Sequence, residues 1–219
     1  MIRHPLKSSA SVFLMSSIAR KLTTILQMDA VRYSAAMEAD EEKTFKSFLF
    51  CRRVIDRLIE EYHGRIFSTA GDAVLVEFGS PTQAVRFAVE CQEALGKLDE
   101  GSEGAYFAFR IGINLGDVII SGEDLLGDEV NIAARIEGLA EPGGICISSK
   151  VYEEVKGKIE GIEFISLGIP VLKNITRQIE VFALFKRERN KHVPTSSILS
   201  FWSDKESAKE KKALGKIAG

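Results

Sequence analysis

The stretch F-S-T-A-G-D-A-V-L-V-E-F, residues 67–78, decides how the chain is read. Two β-prone runs flank one Gly71-Asp72 pair, the pattern of a tight hairpin. Two readings of the aspartate are open. Glycine supplies unusual backbone angles and aspartate bonds its own backbone, so the pair is ordinary turn chemistry. Alternatively, the turn holds out a carboxylate to bind something. Working outward, the hairpin strands fall at 65–70 and 73–78, and T-T-I-L-Q-M-D-A, residues 23–30, reads as a strand. Phe45, Phe48, Leu49, Val54, Ile55, Leu58 and Ile59 have helical spacing over 41–62, and His63-Gly64 stops that helix. Ser80-Pro81 opens a second helix with Ala84, Val85, Phe87, Ala88, Cys91 and Leu95 inward. Residues 106–114 follow as an extended run. The order β-α-β-β-α-β predicts an α+β fold with a ferredoxin-like core, an antiparallel sheet with helices on one face.

Further on, 118–120 is extended and 130–139 is a third helix, stopped by Pro142-Gly143-Gly144. A short strand at 145–148, a short helix at 151–155 and strands near 164–167 and 179–185 extend the core into an antiparallel-rich sheet with flanking helices. From Lys186 the composition shifts to charge runs, with an isolated I-L-S-F-W at 198–202 suited to docking on the domain or on a partner. The expected division is a flexible leader at 1–19, one catalytic-type domain at 20–186 and a charged tail at 187–219, with Met15 as an alternative start.

Composition narrows the function. The 219 residues are 45% hydrophobic and 27% charged, with net charge −2, which fits a soluble globular class with a real core. A basic face for nucleic acid is not indicated. Cys51, Cys91 and Cys146 lack metal-ligand spacing and read as small buried hydrophobes in a reducing compartment. His4, His63 and His192 are scattered, against a His-based metal site or triad. No run approaches a membrane span, so a cytoplasmic location is expected.

The chemistry-bearing residues are carboxylates and one helix face. In a ferredoxin-like topology the end of the first strand and the hairpin turn lie side by side, which brings Asp29 towards Asp72. Such paired carboxylates repel unless a cation lies between them, and hard divalent ions favour oxygen ligands. The plainer alternative is two separate turn aspartates. In E-D-L-L-G-D-E-V-N-I-A-A-R-I-E, Asn131 and Arg135 stand four apart on one helix face. That face is either an exposed polar stripe or a site for an oxygen-rich anion such as a ribose triphosphate.

Six ordered stretches carry a resemblance: R-K-L-T-T-I-L-Q-M-D, G-R-I-F-S-T-A-G-D, R-I-G-I-N-L-G-D-V, G-D-E-V-N-I-A-A-R-I-E, E-P-G-G-I-C-I-S and L-K-N-I. Between about residues 20 and 185 the chain resembles the catalytic domain of the class III nucleotidyl cyclases, the adenylate and guanylate cyclases, in their bacterial branch. The resemblance implies that Asp29 and Asp72 hold two Mg²⁺ or Mn²⁺ ions, with the Ala30 carbonyl as a further ligand. It implies that Asp124 accepts a hydrogen bond from the adenine amino group, that Asn131 orients the ribose, that Arg135 stabilises the α-phosphate and that Lys173 grips the polyphosphate. It also implies an ATP substrate and a head-to-tail homodimer, in which the metal residues of one subunit face the base and ribose residues of the other. Two positions depart from the pattern. Ser68 stands where adenylate cyclases usually carry an adenine-reading lysine, and Arg32 stands where glycine is frequent. These departures leave two alternatives beside the adenylate cyclase reading: a weak or inactive nucleotide-binding or dimerisation module, and a cyclase with relaxed choice between ATP and GTP.

Overall fold

The computed structural model describes residues 18–100 and 107–186. The proposed start at Met15, the I-L-S-F-W segment and the whole of the charged tail at 187–219 lie outside the described residues. The elements run β1 (Arg20–Ala30), α1 (Tyr33–Ala39), α2 (Glu41–Glu61), β2 (Arg65–Ala70), β3 (Ala73–Phe78), α3 (Pro81–Glu100), β4 (Phe109–Ser121), β5 (Asp124–Leu126), α4 (Asp128–Glu137), β6 (Ile145–Ser148), α5 (Ser149–Val155), β7 (Ile162–Ser166) and β8 (Val181–Lys186). They form one sheet in the order β2-β3-β1-β4-β6-β8-β7, with β5 paired to β4. The β2-β3-β1-β4 half is the expected ferredoxin-like core. Only the β4–β6 pairing is parallel; the other pairings are antiparallel.

Strand alternation sorts the core into two faces. Leu26 and Met28 of β1 join Val74 and Val76 of β3 beneath α2 and α3. Ile25 turns the other way and packs with Phe67, Val118, Leu125 and Ala133 of α4. So α4 covers the sheet face opposite α2 and α3, and the helices are not confined to one side. On β4 the residues facing α4 are Gly112, Asn114, Gly116 and Val118. A Cβ on Gly112 would sit 2.1 Å from the Glu137 amide nitrogen, and one on Gly116 would sit 2.2 Å from Glu129 Cδ. The two glycines let α4 lie directly on the strand.

Several expectations need correction. The extended run expected at 106–114 is a strand only from Phe109, with residue 106 outside the described residues, and it continues through 118–120 as one β4, since Gly116 stays in register opposite Thr23. The third helix begins at Asp128 and ends at Glu137. In α2 the buried stripe is Phe48, Cys51, Ile55, Leu58 and Ile59, whereas Phe45 and Leu49 are exposed. The inward residues expected of α3 are all buried, as are the three cysteines.

Candidate functional site: paired aspartates and a polar helix face

β1 pairs with β3 so that Met28 lies opposite Val74, and the next residues carry the two acids to one edge. Ala70 pairs with Ala73, leaving Gly71-Asp72 as a two-residue loop with Gly71 at φ 63°. A left-handed residue at that point matches the twist of the flanking strands, so glycine is needed there. The loop directs Asp72 back onto β1: Oδ2 accepts a hydrogen bond from the Ala30 amide at 3.2 Å. This brings the Asp72 carboxyl beside Asp29. Burial pushes Asp29 up to about 6, the adjacent Asp72 adds to the rise, and Arg110 opposes it. Like charges side by side at a half-buried strand end suit a divalent cation with oxygen ligands. Among the described residues no cluster of three or more His, Cys, Asp and Glu side chains accompanies them.

Arg110, which the sequence reading passed over, stands opposite Asp29 across the β1–β4 register. Its Nη2 donates to Asp29 Oδ2 at 3.2 Å. Its Nε lies 2.8 Å from Glu137 Oε1, a pairing of charges without hydrogen-bond alignment. The available signal was R-I-G-I: a basic residue on the strand beside β1, visible once register is known.

The remaining expected site residues lie along α4 and the far end of the sheet. Asn131 and Arg135 are exposed on α4, while Ile132, Ala133 and Ile136 are buried beneath them. Arg135 Nε donates to the Lys173 carbonyl at 3.3 Å, so these two expected phosphate-side residues are neighbours. Asp124 opens β5 opposite Ser121 and is exposed. Ser68 follows a bulge in β2 and pairs with Leu75, which packs against the α4-side cluster. Arg65, three residues before Ser68, donates to the Glu123 carbonyl at 2.7 Å and ties β2 to the β4–β5 turn. Ser68 and Asp124 therefore sit on elements that touch.

Asp29 does not join that group. It lies opposite Arg110, whereas Asp124 lies opposite Ser121, eleven residues along the same strand. The 700 Å³ groove between α2, α3 and β7 contains none of these residues. Arg32 adopts a left-handed conformation, φ 61° and ψ 24°, just after β1. Among the described residues no helix is long and apolar enough to cross a membrane.

An antiparallel-rich sheet with two neighbouring strand-end carboxylates and a polar helix on its reverse face defines a nucleotidyl cyclase type of domain. The model of the adenylate and guanylate cyclase catalytic domain matches residues 21–185, and the chain belongs to that family. It is 41% identical over 181 residues to the Rhizobium meliloti protein named "Putative adenylate cyclase 3", covering 81% of this chain and 30% of that protein. It is 30% identical over 142 residues to an adenylate cyclase of Anabaena cylindrica, covering 55% of this chain and 28% of that protein. The chain thus spans about a third of the length of these relatives. Among solved structures, the adenylate/guanylate cyclase/hydrolase from Silicibacter pomeroyi superposes with a TM-score of 0.69 at 37% identity, covering 75% of this chain and 96% of that one. The adenylyl cyclase CyaB from P. aeruginosa shares the fold, with a TM-score of 0.69 at 22% identity over 80% of this chain and 98% of that one.

Proposed function

We propose that this domain is an adenylate cyclase, converting ATP to 3′,5′-cyclic AMP and pyrophosphate at sites shared between two head-to-tail copies. The observation that carries this reading is the hairpin turn that brings Asp72 back onto the end of β1, where it accepts from the Ala30 amide next to Asp29. With the Ala30 carbonyl they would hold two divalent ions, Mg²⁺ or Mn²⁺. Such ions make the ribose 3′-hydroxyl more acidic and offset charge on the leaving pyrophosphate. The chain's own residues orient the nucleotide. Asp124 accepts from the adenine amino group, Asn131 holds the ribose, Arg135 meets the α-phosphate and Lys173 the polyphosphate. Neither a histidine base nor a covalent intermediate is required, since phosphoryl transfer of this kind rests on positioning and charge stabilisation.

Asp29 meets β4 at Arg110 and Asp124 meets it at Ser121, and these different levels along one strand support a two-chain site. An isologous pair makes the arrangement reciprocal, giving two equivalent sites. A second reading, relaxed choice between ATP and GTP, is favoured by Ser68. Its side chain is short and uncharged where the family resemblance implies a lysine, so base reading falls mainly on Asp124.

The test is cyclisation of ATP and GTP by the purified chain with Mn²⁺ or Mg²⁺. Asp72→Ala and Arg135→Ala should each abolish product while the fold is kept. Mixed together, they should recover about a quarter of wild-type activity if protomers pair at random, because each heterodimer has one intact site. No recovery in demonstrated heterodimers excludes the shared site. Equal turnover by wild type and Asp72→Ala excludes the catalytic assignment.

A further inference from the structure

Glu129 is a buried acidic side chain of α4 that is bonded from several elements. It occupies the first turn of α4 between the exposed Asp128 and the exposed Asn131, yet is only 8% accessible. Gly116 leaves the space in which its side chain lies over β4. Three elements converge on it. Asn114 Nδ2 of β4 donates to Oε2 at 2.7 Å and to the Glu129 carbonyl at 3.1 Å. Arg177 Nη2 donates to Oε1 at 2.9 Å. Lys150 Nζ of α5 reaches the same oxygen at 3.4 Å. Burial alone pushes a carboxyl upward, but these donors outweigh it and hold Glu129 below its ordinary value.

Arg177 belongs to the connection between β7 and β8, which also carries Lys173. Leu172 and Ile179 of this connection are buried, and with Ile175 they pack on Ile132 and Ile136 of α4. Between them the chain turns tightly: the Ile175 amide donates to the Leu172 carbonyl at 3.1 Å, with Asn174 left-handed at φ 63°. Lys173 is the exposed residue in this turn, and its carbonyl accepts from Arg135. Apolar contacts fix the depth of the connection on the helix but are non-directional. The bidirectional constraint comes from two arginines, one holding the Lys173 carbonyl and one reaching Glu129 four residues later.

We propose that Glu129, through Arg177, is a positioning residue that sets Lys173 beside Arg135 for a nucleotide polyphosphate. Neither Glu129 nor Arg177 touches the nucleotide. The claim rests on the nucleotide-binding reading above and adds to it the group that holds the phosphate-side lysine in place. An outer-shell pair of this kind, when broken, leaves the binding residue present but loosely held, which commonly costs about tenfold or more in affinity.

The experiment is a double-mutant cycle on binding of 3′-deoxy-ATP with Mn²⁺, measured by calorimetry on the full chain. This probe lacks the attacking hydroxyl, so binding is read without turnover. Thermal melting checks that each variant folds. Arg177→Met, whose side chain is half exposed in the wild type, is the variant least able to disturb the core. It should weaken binding about tenfold, and Glu129→Gln should weaken it similarly. Arg177→Lys, which keeps the charge, should recover most of the loss. Adding Arg177→Met to Lys173→Met should weaken binding no further, because the effect runs through Lys173. Hydrogen exchange should quicken at the Ile175 amide in Arg177→Met and Glu129→Gln. Affinity within twofold of wild type in both single variants overturns the proposal, as does an equal loss from Arg177→Met with or without Lys173. Failure of wild type itself to bind the probe overturns the underlying nucleotide reading instead, and the proposal with it.

Discussion

Replacing Asp72 by asparagine should make the metal-free protein more stable while abolishing turnover. Asp29 rises from its ordinary 3.8 to about 6, chiefly through burial and next through the neighbouring Asp72. At pH 7 both the folded and the unfolded forms of Asp29 are ionised, so the raised value is an unfavourable contribution to folding of about 3 kcal/mol. Burial is the larger cause and survives the substitution. Relief of the Asp72 share should therefore return about 1 kcal/mol. Asparagine keeps an oxygen to accept the Ala30 amide, so the turn itself is not lost. The assay is urea unfolding at pH 7 in the presence of a chelator, comparing midpoints at equal slope. With Mn²⁺ in excess the order should reverse, because ligand binding stabilises only the chain that retains both carboxylates. Asp72→Asn less stable than wild type in chelator would refute the claim that the two acids meet at a cost. The same order with and without Mn²⁺ would refute their assignment to a cation.

Glu77, bonded by Lys21, Arg65 and Thr23, and Glu129, bonded by Asn114, Arg177 and Lys150, are both held below the ordinary carboxylate value against the opposing effect of burial. A carboxyl lowered in the folded state adds stability that is full above its unfolded value of about 4.5 and is lost as pH falls through the lower folded value. Glu77→Gln should accordingly flatten the loss of stability below pH 4.5, read from urea midpoints between pH 3 and pH 6. Gly112→Ala should destabilise by about 3 kcal/mol in thermal melting, since its Cβ meets backbone atoms of α4 that cannot swing aside. Arg32→Gly should stabilise by about 0.5–1 kcal/mol by removing a left-handed arginine, after allowing for the greater freedom of glycine in the unfolded chain; a loss of stability would mean that the Arg32 side chain makes a contact worth more than the strain.

The elements legible in the sequence were those whose own residues state their period. The β2–β3 hairpin announced itself by Gly71-Asp72 between two β-prone runs, and its bounds agree with the expected ones. α3 did so by an apolar stripe that is wholly buried. α1 gave no such signal, because it is only seven residues long and none of them is fully buried. β5, with three residues, is shorter than any useful window. The gap left between the two extended runs contains Gly116, which makes room for the Glu129 side chain, a purpose that the local sequence does not disclose. Phe45 and Leu49 fit a helical period but fall beside the buried stripe, where width of the contact and not spacing decides. Within the site, Asp29 and Asp72 were legible because topology alone makes strand ends neighbours. Arg110, Glu129 and Arg177 were not, since each is defined by a partner that only register or loop packing brings near.

Most of the candidate site residues sit on strands or on α4, and this bears on how a two-copy site keeps its geometry. Asp29 ends β1, Arg110 lies on β4, and Asn131 and Arg135 ride on α4, which the glycines of β4 hold against the strand. Arg110 reaches Asp29 on one side and Glu137 on the other, so the acid end of the sheet and the last turn of α4 are joined by charge as well as by packing. Asp29, Arg110, Asn131 and Arg135 of one protomer are therefore borne on one joined framework. On the proposed head-to-tail reading, any rotation of one copy that opens the first site displaces the same framework at the second. Two-fold reciprocity then follows from the stiffness of β1, β4 and α4, without a signalling path between the sites. A flexible connection would sever that relation, and the described elements place none between Asp29 and Arg110 or between Glu137 and Arg135.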